Sequence, residues 1–150
     1  MVKSAFFRAG HAFLLLLFGG FGLGACSNGG DAAAPIPSLS TEERLAAPAD
    51  PARGQVLFSE CAVCHEAQKG ARHRLGPTLW GVYGQPAAQL ADFRYSGALR
   101  RSGVVWTDEA LDTYLKSPQS LVPGWRMSYP GMENPADRRD LIAFLATLDE

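Results

Sequence analysis

The chain has 150 residues, with 14 Lys and Arg against 15 Asp and Glu, and 47% of its residues are hydrophobic. This length suits one folded domain rather than two, and the hydrophobic content excludes a wholly disordered chain. A formal net charge of -1 excludes the strong basic excess that is typical of nucleic-acid-binding domains. The three cysteines, Cys26, Cys61 and Cys64, cannot all pair in internal disulfides, so at least one has another role.

The first 25 residues have the pattern of a secretory signal peptide. Lys3 and Arg8 precede an apolar run over residues 12–23 that carries no charged side chain. Several glycines interrupt this run, and it is shorter than the roughly 20 apolar residues of a membrane-spanning helix. We therefore predict a signal peptide at residues 1–25 and an exported protein.

The signal segment ends in Leu23-Gly24-Ala25-Cys26, which resembles the bacterial lipobox. In that motif the cysteine is acylated and becomes the new N-terminus, so Cys26 is predicted to anchor the protein on a membrane, facing the periplasm or the cell exterior. Each buried acyl CH₂ contributes about 0.8 kcal/mol, so two or three chains hold firmly. Two alternatives stay open: Cys26 ends an ordinary signal peptide, or the segment stays as an uncleaved anchor helix.

Residues 26–50 are predicted to be a lipidated N-terminus followed by a flexible linker. They are rich in Ala, Pro, Gly and Ser and have almost no large apolar side chain. Such a composition buries too little surface to order itself. A flexible tether of this length spans roughly 25 to 30 Å. A transient helical turn near residues 40–45 is the most structure that we expect.

Residues 51–150 are predicted to form one all-α domain with three main helices. The first helix covers residue 52 to about residue 61, and the second follows the cap residue Thr107 and ends at Lys116. The third begins at Asn134 and Pro135 and carries a broad apolar face. No stretch alternates convincingly with a period of two, which excludes an obvious strand.

The motif Cys61-Ala62-Val63-Cys64-His65 has the C-x-x-C-H spacing of c-type haem attachment. Two thiols three positions apart can each add to one haem vinyl group while the next imidazole reaches the iron. Long Gly- and Pro-rich segments at residues 69–84 and 117–130 need a core to pack on, and a large apolar cofactor would supply it.

Other interpretations of Cys61 and Cys64 are a structural disulfide, half of a zinc site and a thioredoxin-like redox pair. Zinc requires four ligands, and the other histidines are only His11 and His73. A thioredoxin-like pair needs a βαβ context, which the sequence lacks. A structural lipoprotein with a Cys61–Cys64 disulfide stays open, and haem staining of a denaturing gel would test it.

An electron carrier needs a soft second axial ligand, and two methionines are candidates. Met127 follows Val122-Pro123-Gly124-Trp125-Arg126, and Met132 lies five residues further on. A methionine is also a common core residue. Spacing alone does not separate the two candidates.

From about Asp50 to the C-terminus the sequence resembles the class I, mitochondrial-type cytochromes c. The motifs that carry this resemblance, in chain order, are Gly54 and Phe58, the C-x-x-C-H segment, Gly76-Pro77-Thr78-Leu79-Trp80-Gly81, Phe93-Arg94-Tyr95-Ser96, Trp106, Tyr114, Val122 to Met127, and Arg138 to Leu145. The resemblance implies an all-α cytochrome c fold with long loops wrapped around one covalently bound haem c.

By this resemblance, Cys61 and Cys64 form thioether links to the haem. His65 is the proximal ligand of the iron and Met127 the distal ligand. The resemblance further implies that the backbone carbonyl of Pro77 accepts a hydrogen bond from Nδ1 of His65, which fixes the ring and makes it a better donor.

The same resemblance assigns cofactor contacts to three aromatic residues. Tyr95 and Trp106 match positions that hydrogen-bond a haem propionate, and Tyr114 matches a residue near the methionine sulfur. Three positions depart from the family: Trp125 replaces a threonine, Leu99 replaces an asparagine and Gln85 replaces an arginine. The resemblance therefore implies no propionate contact from these three positions.

The function implied is a membrane-tethered one-electron carrier with no enzymatic activity. We expect a monomer that passes electrons between membrane redox complexes, such as a quinol-cytochrome c reductase and a terminal oxidase, and that binds no nucleic acid. The alternative is a haem-c enzyme, or a sensor of peroxide or gas, in which Met127 is displaceable. The sequence offers no second histidine or evident general base near that site, which weakens the alternative.

Overall fold

The computed structural model describes residues 38–149, and within them the chain forms six α-helices. Their bounds are α1 Thr41–Ala46, α2 Pro51–Leu57, α3 Gly97–Arg101, α4 Asp108–Lys116, α5 Pro118–Leu121 and α6 Pro135–Ala146, with a 3₁₀ turn at Phe58–Glu60. The same residues include no β-strand, and one isolated antiparallel bridge pairs Pro86 with Val105. The all-α prediction is confirmed. Across residues 38–149, none of the helices has the length and apolar character needed to cross a membrane.

The three helices predicted from the sequence are present as α2, α4 and α6. Each begins at a capping side chain, namely Asp50, Thr107 and Asn134, whose oxygen accepts backbone N–H bonds from the first turn. Pro51 and Pro135 occupy the first turns of α2 and α6, where the missing N–H costs no intrahelical bond. Local sequence therefore sets where each of these helices begins.

The first and last helices of the predicted domain, α2 and α6, cross in close contact. A Cβ atom at Gly54 would overlap the backbone carbonyl of Asp140, so only glycine allows this approach. Beside the crossing, the rings of Phe58 and Phe144 pack with centroids 5.3 Å apart. The core that forms around this crossing also includes Trp106, Leu111, Leu115, Met132, Leu141, Ile142, Leu145 and Leu148.

Helix α1 departs from the flexible linker predicted for residues 26–50. Ser40 and Glu43 form a reciprocal capping box at its start. Arg44, only 8% exposed, donates from its guanidinium to Asp137 at 2.6 Å and to Asp140 at 2.7 Å. The prediction from composition did not include this helix, because charged contacts to distant residues, rather than apolar burial, stabilise it.

Further bonds between α6 and the residues around α1 complete a set of contacts that we call the N-terminal clamp. Besides the two Arg44 bonds, the guanidinium of Arg139 donates to the backbone carbonyls of Arg44 at 2.6 Å and Ala47 at 2.9 Å. The backbone N–H of Asp50 donates to Asp140 at 3.0 Å. The predicted signal peptide, Cys26 and the linker up to residue 37 lie outside the described residues.

Two further short helices, α3 and α5, were not predicted. Ser96 caps α3 by accepting from the N–H of Leu99 at 3.1 Å, and α5 begins at Pro118. Helices of four or five residues are too short to show a helical period in the sequence. They interrupt segments that otherwise run as loops.

Candidate functional site

The C-x-x-C-H segment continues the 3₁₀ turn as one more tight turn. The N–H of Cys64 bonds the carbonyl of Cys61 at 3.0 Å, and the N–H of His65 bonds the same carbonyl at 2.9 Å. Both thiols are half-buried. All three side chains line one cavity.

The imidazole of His65 is buried and oriented by a single backbone contact. Nδ1 lies 2.7 Å from the carbonyl oxygen of Pro77. Because a carbonyl only accepts, Nδ1 carries the proton and the lone pair of the neutral ring is on Nε2. Burial lowers the pKa of His65, although the bond to Pro77 opposes this shift. The ring is therefore neutral at physiological pH, which is the form that binds a metal.

The loop after the motif folds back onto it. The N–H of Gly76 donates to the carbonyl of Cys64, and the N–H of Leu79 donates to that of Glu66, each at 2.8 Å. A Cβ atom at Gly76 would overlap the ring of His65. Glycine at this position thus lets the Pro77 carbonyl reach the imidazole.

A cavity of about 600 Å³ lies between the attachment segment, the loops and helices α4 and α6. Its volume falls within the roughly 300–1,000 Å³ of ligand and cofactor pockets. Apolar side chains dominate the wall, among them Leu79, Leu99, Leu111, Leu115, Leu141 and Leu145. Two thiols and a neutral imidazole on one wall of an apolar cavity fit a covalently attached haem.

The structure places every site residue predicted for the domain on this cavity. These residues are Cys61, Cys64, His65, Pro77, Tyr95, Trp106, Tyr114 and Met127. Met132 has a different environment: it is 8% exposed in the hydrophobic core, and its N–H donates to the carbonyl of Leu115 at 2.8 Å. Of the two candidate methionines, both within the described residues, only Met127 is on the cavity wall.

Aromatic rings also form part of the cavity wall. Trp106 packs edge-on against Tyr114 with centroids 4.9 Å apart, and Tyr114 packs against Trp125 at 6.2 Å. Burial raises the pKa of Tyr114 to about 12 and also raises the pKa of Tyr95. Both hydroxyls therefore keep their protons at physiological pH.

Tyr129 is a cavity residue that sequence reasoning missed. Its hydroxyl is buried and, among the described residues, has no hydrogen-bond partner. Burial raises its pKa to about 12, and the nearby Cys61 and Glu60 add to the shift. The available signal was an aromatic residue two positions after Met127, in a loop already suspected to contact the cofactor.

The burial of Cys61 disfavours the interpretation of the two thiols as a thioredoxin-like redox pair. Burial raises the pKa of Cys61 to about 11, whereas a redox-active pair needs a lowered pKa to supply the thiolate. Over residues 38–149, no group of three or more His, Cys, Asp and Glu side chains is placed to hold a metal ion. Nδ1 of His73 accepts a hydrogen bond from the N–H of Thr78 at 3.0 Å, and its Nε2 lies 3.0 Å from a carboxylate oxygen of Asp92. The two ring nitrogens of His73 therefore face Thr78 and Asp92 rather than the thiols.

Comparisons with known proteins agree with this geometry. The family model of cytochrome c matches residues 51–149. Cytochrome c2 of Rhodomicrobium vannielii is 42% identical over 98 residues, which are 65% of this chain and 78% of that protein. Cytochrome c2 of Rhodopila globiformis is 44% identical over 104 residues, which are 69% of this chain and 97% of that protein.

The structure of cytochrome cH from Methylobacterium extorquens is similar to this one, with a TM-score of 0.60 and 39% sequence identity. The match covers 65% of this chain and 98% of that protein. The fold, the C-x-x-C-H segment and these relatives lead to one conclusion. The chain belongs to the cytochrome c family of electron carriers and binds haem c covalently through Cys61 and Cys64.

Proposed function

We propose that this chain is a membrane-tethered one-electron carrier in which His65 and Met127 are the axial ligands of the haem iron. The observation that carries the proposal is the presence of both side chains on the wall of one apolar cavity that also holds the two thiols. Bound haem c supplies a one-electron couple between ferrous and ferric iron, and His/Met ligation raises its reduction potential.

The residues of the cavity influence the ferrous–ferric couple by orienting the ligand and by setting the polarity around the haem. The bond from His65 to the Pro77 carbonyl holds the ring in one orientation and increases its donor strength. The apolar wall excludes water and disfavours the additional positive charge of the oxidised state. Two protein ligands leave no axial position for a substrate, so the chain itself is not expected to be an enzyme.

We propose that Tyr95 and Trp106 hydrogen-bond the haem propionates. A tyrosine hydroxyl and an indole N–H are donors, and both residues line the cavity. Gln85, Leu99 and Trp125 stand where the resembling family has an arginine, an asparagine and a threonine. These three positions therefore offer the haem propionates fewer hydrogen-bond donors than the same positions do in the resembling family.

Carbon monoxide binding tests the carrier against a gas- or peroxide-reactive enzyme or sensor. When the purified, dithionite-reduced protein is exposed to carbon monoxide, we expect its absorption spectrum to stay unchanged, because Met127 holds the sixth position. Rapid formation of a carbon monoxide complex at neutral pH would support the alternative function instead.

The tether proposed for this carrier is a lipid on Cys26 at the end of the signal peptide, with the following residues as linker. An anchor confines the domain near membrane complexes and raises their effective concentration. The protein would be exported and lie on the outer side of the cell membrane. Its proposed partners are a quinol-cytochrome c reductase and a terminal oxidase, which a monomer contacts through transient, salt-sensitive interfaces.

Replacing Cys26 with serine should move the haem protein from the membrane fraction to the soluble fraction, with its absorption spectrum unchanged. The reason is that serine offers no thiol for acylation, and two or more acyl chains supply stable anchoring. Fractionation followed by haem staining measures the effect, with Ser27→Ala as the matched control. If Cys26→Ser stays in the membrane fraction, an uncleaved signal helix anchors the protein.

A further inference from the structure

Trp125 lies at the border between the cavity and the protein surface. A groove of about 470 Å³, more open to solvent, adjoins the cavity there. Trp125, Met127 and Tyr129 line both the groove and the cavity. The segment from Trp125 to Tyr129 therefore forms the border between the cavity and the groove.

Hydrogen bonds restrain the segment on both sides of Trp125. Val122, only 2% exposed, anchors the start of the segment, and the N–H of Trp125 donates to its carbonyl at 3.2 Å. Gly124 between them has a φ of +82°, which favours glycine and allows the turn. On the other side, the guanidinium of Arg126 donates to the carbonyl of Arg94 at 3.1 Å.

The indole itself packs on Tyr114, which is half-buried. The ring planes of Trp125 and Tyr114 meet at 77°, and Tyr114 in turn packs on the core residue Trp106 at 64°. Edge-to-face pairs of this kind contribute about 0.5–1.5 kcal/mol beyond the burial of their area. The stack connects Trp125, two residues before Met127, to the core.

We infer that Trp125 is a positioning residue that closes the Met127 side of the cavity, excluding water and small ligands and holding the Met127 segment against the haem. The inference rests on the proposed axial role of Met127. A threonine at this position would be too small to fill the same part of the wall. Removing the indole joins the groove to the cavity and loosens the segment that carries Met127.

Imidazole binding to the oxidised holoprotein, followed by stopped-flow absorption, tests this inference. Since a ligand that displaces Met127 binds only the open fraction, we expect Trp125→Ala to bind imidazole at least about tenfold faster than the wild type. Trp125→Phe keeps a ring against Tyr114 and should stay close to the wild-type rate. Gln119→Ala, which changes the groove but not the cavity wall, should leave the rate unchanged.

Equal rates for Trp125→Ala and the wild type would overturn the inference, as would an equal acceleration in Trp125→Phe. If Trp125→Ala yields no folded protein, Trp125→Thr takes its place with the same expectation. The absorption spectrum of the wild type without imidazole separates the two claims. If the wild-type spectrum lacks the signature of thioether ligation, the proposed axial ligand is contradicted. If that signature is present but the Trp125 variants bind imidazole at the wild-type rate, only the role of Trp125 is contradicted.

Discussion

Replacing Met127 with alanine should abolish the far-red charge-transfer band of the ferric protein and lower its reduction potential, while the haem stays attached. The band arises from thioether sulfur bound to ferric haem, and alanine has no sulfur. Loss of the soft ligand also removes its stabilisation of the reduced state. Absorption spectroscopy and a potentiometric titration measure the two effects.

Met132→Ala is the matched control for this substitution. Met132 is buried in the core, so its truncation should destabilise the fold by about 2–5 kcal/mol. Because Met132 is not on the cavity wall, the band and the potential should remain close to those of the wild type. The opposite pattern, with the band lost in Met132→Ala and kept in Met127→Ala, would refute the assignment of the ligand.

Arg44→Ala should lower the free energy of unfolding by about 3–5 kcal/mol, because it leaves the carboxylate of Asp140 buried without its main cationic partner. Asp140 is 2% exposed, and the Arg44 guanidinium lies 2.7 Å from it. Denaturant unfolding measures the loss. The haem spectrum should not change, since neither residue lines the cavity.

Arg72→Ala serves as the control for the N-terminal clamp. Arg72 is exposed, so its truncation should change stability by no more than about 0.5 kcal/mol. A loss below about 1 kcal/mol in Arg44→Ala, the range of exposed ion pairs, would show that the clamp does not stabilise the domain.

The clamp also predicts an acid dependence. Burial alone would raise the pKa of Asp140, but the N–H of Asp50 and the guanidinium of Arg44 hold it below the ordinary carboxyl value. A lowered folded-state pKa means that the stabilisation is complete above the ordinary carboxyl pKa. It is lost as the pH falls through the lower, folded-state value. Unfolding of the wild type and Asp140→Asn across that range should show a steeper acid loss in the wild type.

Local signals in the sequence were sufficient for α2, α4 and α6. A capping side chain, a proline in the first turn and an apolar face at helical spacing lie within a few residues of one another, so they are readable without the fold. The C-x-x-C-H spacing likewise predicted the attachment of haem c. In each case the physical cause is local along the chain.

Contacts between distant residues could not be read in this way. The partners of Arg44 lie 93 and 96 residues further along the chain, and the part shared with the cytochrome c family begins only at residue 51. Met127 and Met132 are likewise equivalent by spacing. The resemblance selected Met127, and the fold shows the difference: Met132 lies in the core, where its N–H bonds the carbonyl of Leu115, whereas Met127 lies on the cavity wall.

The absorption spectrum of the purified, oxidised protein at neutral pH tests the two axial ligands most directly. Ligation by His65 and Met127 predicts a low-spin, six-coordinate spectrum with the sulfur-to-iron band. A high-spin spectrum, or a low-spin one without that band, would contradict it.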